Sequence, residues 1–212
     1  MDKQKEERYP HIGRVEEEVD AAFWEARYQN GDTGWDQGAA SPGLMDLLKN
    51  NQIQAGSILV PGCGRGHEAR ALARAGFEVT GMDITEGAIR EARPLAEREG
   101  LQKIKFIQAD FFNLPKKKFG PYDWIFEHTF FCAFNPDLRG DYVKTVAALI
   151  KPGGGLIGMF YHIQAESGPP FGCTREELLE RFSPQFTLRL EKTPRSFPDR
   201  EGKELLMLWE RK

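Results

Sequence analysis

Cysteine is scarce in this 212-residue chain, with only Cys63, Cys132 and Cys173 present. The number is odd and no two sit at CxxC spacing, so neither a disulfide framework nor a zinc knuckle is indicated. A reducing compartment fits this usage. Basic excess is missing too: the formal net charge is −3 and the pI about 5.9, which argues against a face built to wrap duplex nucleic acid. Lys116–Lys117–Lys118 is too short a run to be a phosphate clamp and is expected to be a solvated loop. Long apolar runs are absent as well. The stretch from Gly154 to Tyr161 falls far short of the roughly 20 residues that span a bilayer. The first seven residues are charged and lack the apolar region of a secretory signal, so a soluble cytoplasmic protein is expected. No internal repeat and no dividing linker is visible.

What is present is a globular composition, 40% apolar and 29% charged, in a chain long enough to bury a sizeable core. Residues 1–13 read as a polar, frayed start. Val15, Val19, Ala22, Phe23 and Ala26 recur at helical spacing over 14–28. Ser41–Pro42 opens a second helix through Lys49. Short apolar runs then alternate with helical segments: strands at 57–60, 77–82, 104–107, 122–127 and 156–162, and helices at 68–75, 85–98, 137–150 and 174–182. Pro94 is expected to kink or break its helix, and Pro152–Gly153–Gly154 to stop the one before the fifth strand. Two last strands, 186–190 and 204–209, are joined by a short link, so they form an antiparallel edge. The pattern predicts one α/β domain over 1–212. A mostly parallel seven-stranded sheet (55–212) has helices on both faces and an N-terminal helical cover (1–50).

The first strand runs into Val60-Pro61-Gly62-Cys63-Gly64-Arg65-Gly66-His67. Glycines between strand and helix let a ligand approach the backbone. The spacing is GxGxG, and His67 stands where a dinucleotide fingerprint needs glycine. A nucleoside ligand without that pyrophosphate, such as S-adenosylmethionine, fits better. Asp83 ends the second strand at the distance suited to accepting both ribose hydroxyls. Asp110 ends the third, placed to meet an adenine amino group while Phe111 stacks on the ring; Phe112 is assigned to the core.

These pieces resemble the class I methyltransferases, which have a Rossmann-like fold. More narrowly they resemble the thiopurine S-methyltransferase family, halide and thiol (thiocyanate) methyltransferases included. The resemblance rests on Phe23-Trp24, Trp35-Asp36-Gln37-Gly38, Leu59-Val60-Pro61-Gly62-Cys63-Gly64, His128-Thr129-Phe130-Phe131-Cys132-Ala133 with Asn135-Pro136 and Arg139, Gly168-Pro169-Pro170-Phe171, and Arg200-Glu201-Gly202-Lys203-Glu204. Val60 stands where generic class I enzymes carry an acid, as it does in this family. The resemblance implies that Trp24, Tyr28 and Trp35 contact the donor, although Tyr28 replaces a tryptophan, and that Gly62, Gly64 and His128 do so as well. It implies substrate contacts from Tyr161 and Arg139, with the Tyr161 hydroxyl donating to an incoming anion. Aromatic faces suit a sulfonium cation, and an anionic acceptor needs no general base.

The expected activity is transfer of a methyl group from S-adenosylmethionine to a halide, bisulfide, thiocyanate or thiol. Larger aromatic thiols are the alternative within the family, and a non-catalytic binding module the alternative outside it. The segment Glu127-His128-Thr129-Phe130 lacks the Asp/Asn-Pro-Pro-aromatic pattern of amino-methylating DNA enzymes. No metal, nucleic-acid or membrane partner is expected, and the chain is expected to be a monomer.

Overall fold

The computed structural model describes residues 9–115 and 119–212. Lys116–Lys118 and the first eight residues lie outside this range. The chain runs β1 (Arg14–Val15), α1 (Ala21–Asn30), α2 (Pro42–Lys49), β2 (Ser57–Pro61), α3 (His67–Arg74), β3 (Glu78–Asp83), α4 (Glu86–Arg98), β4 (Ile104–Gln108), β5 (Tyr122–His128), α5 (Arg139–Leu149), β6 (Ile150–Tyr161), β7 (Ser167–Gly168), α6 (Arg175–Phe182), β8 (Phe186–Lys192) and β9 (Glu204–Arg211). Seven strands form one sheet in the order β4-β3-β2-β5-β6-β9-β8. The pairings from β4 through β6 are parallel, and β9 runs antiparallel to both β6 and β8.

Alternation along the central strands makes two cores. Leu59, Ile125 and Leu156 face α5 and α6, packing with Tyr142, Phe182 and Trp209. Ile58, Val60, Phe126 and Ile157 face the other way, onto Leu44 of α2, Leu72 of α3 and Ile89 of α4. A strand side chain changes face at every residue, so unbroken apolar runs mark strands buried on both sides. Connections leave β2 toward β3 on one side, and the chain returns from β4 to β5 on the other. The crevice beyond the carboxyl ends of β2 and β5 is therefore the topological switch point, where open α/β sheets bind ligands.

Helix ends follow side-chain chemistry. Ser41, Thr85 and Thr174 cap α2, α4 and α6 by accepting backbone N–H bonds from Leu44, Ala88 and Glu177.

Four local expectations are corrected. The helix expected over 14–28 divides into β1 and the later α1. Arg14 and Val15 instead pair in parallel with Ser167 and Gly168, a partnership no local pattern records. Residues 9–13 are tied down, with Ile12 buried and the His11 carbonyl accepting from Ala165 N–H. Helix α4 runs unbroken through Pro94. Both Pro94 and Arg90, whose carbonyl loses its partner, are exposed, so water replaces the missing bond while Ile89, Ala92 and Ala96 stay packed. Finally, β6 begins at Ile150 and carries Pro152–Gly154 as an irregularity in its pairing with β5, so α5 passes into the strand directly.

Candidate functional site

A cavity of about 1140 Å³ opens at the switch point. Its walls come from the ends of five strands, from α1 with the loop after it, and from Pro169 and Pro170.

The glycine turn forms its floor. Gly62, Gly64 and Gly66 all have positive φ, at 58°, 51° and 70°, a region side chains rarely adopt. A Cβ on Gly62 would meet the Phe130 ring at 2.5 Å, and one on Gly66 would meet Phe106 at 2.6 Å. The first and third glycines are thus required by packing. At Gly64 the nearest atom would be the Tyr28 hydroxyl at 3.2 Å, so this backbone is the part left open to a ligand. Asp83 fixes the turn: Oδ2 accepts Gly64 N–H at 3.0 Å, and Oδ1 accepts both the N–H and the hydroxyl of Thr85. Burial raises the pKa of this carboxyl.

One wall is aromatic. Trp24 and Trp35 meet edge to face with centroids 5.1 Å apart, and Tyr28 meets Trp35 at 5.7 Å. Burial pushes the Tyr28 hydroxyl far up, reinforced by the Asp83 charge, so it remains a neutral donor. Glu25 anchors α1 by accepting the N–H of Gly87 in the first turn of α4.

Asp110 caps the short turn Phe111–Asn113, accepting Phe112 N–H at 2.8 Å. The turn reverses the expected roles of the two phenylalanines. Phe111 points into the core against Phe130 and Tyr142, whereas Phe112 is half-buried and lines the cavity. A 3₁₀ turn separates successive side chains by about a third of a circle, so only one of them can enter the core.

At the β5 end, His128 lies between two carboxylates. Its Nδ1 is 2.9 Å from Glu68 and its Nε2 3.0 Å from Glu204. Burial alone would lower its pKa, but the two glutamates outweigh burial and raise it to about 9, so the ring is an imidazolium at neutral pH. Arg200 joins the group, 3.8 Å from Glu204, while its Nη2 donates to the Trp35 carbonyl at 2.6 Å. Tyr161 ends β6 on the cavity wall, with the Arg200 guanidinium 5.8 Å from its ring centre. Glu127 accepts the N–H groups of Phe130 and Phe131, and burial raises its pKa to about 7.

Trp24, Tyr28, Trp35, Gly62, Gly64, Asp83, Asp110, His128 and Tyr161 therefore converge on one cavity, which Phe111 borders only from its place in the core. Arg139 does not. Its side chain is fully buried between α5 and α6, donates Nη1 to both oxygens of Glu177, and stacks on Phe131 at 4.4 Å. It is a structural cation, and the expected substrate contact has no geometric basis. Sequence reasoning missed Glu68, Glu204 and Arg200 as members of the site. Arg200 and Glu204 lie in the segment Arg200-Glu201-Gly202-Lys203-Glu204 that carries part of the family resemblance, but Glu68 had no signal of its own. Among the described residues no cluster of His, Cys, Asp and Glu could hold a metal, and no helix is long and apolar enough to cross a membrane.

The model of the family described as thiopurine S-methyltransferase matches residues 19–207. The chain is 34% identical over 203 residues to "Thiocyanate methyltransferase 1" of Brassica oleracea, covering 92% of this chain and 87% of that protein. It is 35% identical over 167 residues to "Probable thiol methyltransferase 2" of Arabidopsis thaliana, covering 77% of this chain and 73% of that one. Its fold is similar to that of the 1,6-didemethyltoxoflavin-N1-methyltransferase of Burkholderia thailandensis, with a TM-score of 0.73, 22% identity, and coverage of 90% and 86%.

Proposed function

Because the chain belongs to the thiopurine S-methyltransferase family, and so is a methyltransferase, we propose that it transfers the methyl group of S-adenosylmethionine to a small soft anion: thiocyanate, bisulfide, halide or a small thiolate. When bound, S-adenosylmethionine supplies an electrophilic methyl group on a sulfonium cation. The residues present fit that group. The Gly64 backbone has no Cβ to block a nucleoside, and Trp24, Tyr28 and Trp35 line a wall attractive to a cation. Gly64 and Thr85 occupy three acceptor positions of Asp83. The Ile84 N–H acts on the same carboxylate, and the capacity that remains beside Gly64 on Oδ2 faces the cavity for the ribose. Phe112 offers the ring face beside Asp110 for a purine.

One observation carries the choice of acceptor. The cavity groups whose ordinary pKa lies near neutrality have no free basic lone pair. His128 is an imidazolium held by two glutamates, and both nitrogens of His67 are engaged, by Asp36 and Arg70. Burial raises the Cys63 thiol well up and the Cys132 thiol to about 12. A cavity whose histidines and cysteines offer no free base suits an acceptor that arrives already ionised. Tyr161 then donates its hydroxyl to the anion and Arg200 contributes positive potential nearby. Pro169, Pro170 and Phe197 exclude water, so donor and acceptor meet in line without moving a proton.

The size of the cavity favours a second reading, since ordinary ligand sites span roughly 300–1,000 Å³. An aromatic thiolate would be accommodated by the same wall.

Turnover decides. The protein is incubated with S-adenosylmethionine and thiocyanate, iodide, bisulfide or an aromatic thiol, with volatile products read by headspace gas chromatography and S-adenosylhomocysteine by liquid chromatography. Methyl iodide, methyl thiocyanate or methanethiol above the no-enzyme control supports the small-anion reading. Product from the aromatic thiol alone supports the second. Donor binding without product from any acceptor refutes both.

A further inference from the structure

His67 follows the glycine turn, and its side chain reaches out of the turn to the loop that carries Trp35. Its Nε2 lies 3.0 Å from Asp36 Oδ1. Arg70 donates to Nδ1 at 3.2 Å, which leaves Nε2–H as the donor to Asp36. Asp36 Oδ2 accepts from Arg65 Nη1 at 2.7 Å, and Oδ1 also accepts its own loop's Gly38 N–H at 2.7 Å. The Asp36 side chain is 9% exposed. Burial opposes its charge, but the bonds from His67, Gly38 and Arg65 outweigh that and hold the carboxyl far below the usual range.

Arg65 and His67 flank Gly66, the residue from which α3 starts. They grip the loop from the turn side, while Arg200 grips it from the other side through the Trp35 carbonyl. Arg65 Nη1 also reaches the Thr33 hydroxyl at 3.2 Å, so the clasp includes the residues on either side of Gly34–Trp35. Arg65 is separately held by Glu91 of α4 at 2.5 Å, so it stays in place whether or not Asp36 is charged. The turn is the fixed half of the contact and the loop is the held half.

We propose that Asp36 is a positioning residue, which, by clasping Arg65 and His67, holds Trp35 over the glycine turn and so sets affinity for the donor. The proposal rests on the reading of this cavity as the S-adenosylmethionine site. Asp36 touches no reacting atom in this account; its effect passes through Trp35. It also gives His67 a role at the position where a dinucleotide-binding turn needs a third, differently spaced glycine.

The test uses the full chain with Asp36→Asn and His67→Leu, singly and together. Asn keeps the shape of Asp but turns an amide donor toward Arg65 or His67, both donors themselves. Calorimetry with S-adenosylhomocysteine should show Kd raised about tenfold or more for Asp36→Asn, the loss of one charge-assisted contact. His67→Leu should raise it less, and the double variant no more than Asp36→Asn alone. Donor KM should rise with Kd, with kcat falling less than KM rises. Quenching of tryptophan emission by S-adenosylhomocysteine should weaken in parallel. A Kd unchanged in a folded Asp36→Asn protein, or a loss confined to kcat, overturns the proposal. Additive effects of two independent sites overturn the clasp. Should wild type bind no S-adenosylhomocysteine at all, the reading of the cavity fails first and separately.

Discussion

Asp83 serves two partners at once, which makes its substitutions informative in different ways. Its carboxylate holds the Gly64 N–H on one oxygen and Thr85 on the other, and it faces the cavity. Replacement by Ala removes the support of the turn along with any ribose contact. Asp83→Asn keeps the volume but presents a donor where N–H and O–H groups must themselves donate. We expect calorimetry to show S-adenosylhomocysteine affinity reduced at least roughly tenfold in Asp83→Asn. Full affinity would place the ribose elsewhere. Tyr161 tests the acceptor end independently. Burial raises its hydroxyl pKa, so it is a donor at neutral pH. Tyr161→Phe should lower kcat/KM for small anions about tenfold, the worth of one hydrogen bond to a charge, and leave donor Kd alone. Unaltered turnover would reduce Tyr161 to packing.

At the scale of elements, α5 and α6 are joined through the fully buried Arg139–Glu177 pair. Glu177 also accepts from His11 at 2.8 Å and Arg181 at 2.7 Å. Burial opposes its ionisation, but the His11 bond and the Arg139 and Arg181 charges prevail and lower its pKa to about 2. Removing one member of such a pair strands the other charge in the core. Glu177→Gln should therefore destabilise the protein by about 3–5 kcal/mol in urea unfolding. The folded fraction should still bind donor normally, because the pair lies away from the cavity. A loss of acceptor KM with intact stability would restore a substrate role to Arg139.

This pair marks the boundary of what the sequence makes legible. The β2–turn–α3 unit was readable because its signals are local: an apolar run, three glycines and an amphipathic helix. The caps on α2, α4 and α6 were readable for the same reason. Three other features were not. Val15 and Val19 imitated a helix because the true partner of Val15 is Gly168, far along the chain. Phe111 and Phe112 exchanged roles because a single turn decided which ring enters the core. Glu68 and Glu204 come to His128 from 60 and 76 residues away, and only the packed fold brings helix α3 and strand β9 to the end of β5.

For the whole molecule, those buried charges set how stability depends on pH. His128 is raised from 6.5 to about 9 in the fold. Its contribution is complete below the unfolded value and is lost as pH climbs through 9, since the folded state then gives up the proton it held more tightly. Glu127 is raised from 4.5 to about 7, so its ionisation erodes stability between those values. Glu177 is lowered to about 2, so its contribution is complete above 4.5 and is lost as pH falls toward 2. The three slopes give a maximum at about pH 5, on the acid side of neutrality. Thermal unfolding from pH 4 to 9.5 should show it, with a decline of roughly 3 kcal/mol between pH 6.5 and 9 from His128 alone. Glu127 completes its ionisation about one unit above pH 7, and the buried Cys63, Cys132 and Cys173 thiols, all raised in the fold, add their own decline toward pH 9 and above, so the histidine is read as the difference between wild type and variant. In His128→Gln the limb from pH 7 to 9 should flatten even though the protein is less stable throughout, because Glu68 and Glu204 lose their cation. A limb of undiminished slope in that variant would show that the imidazolium between the two glutamates is not what the fold protects at alkaline pH.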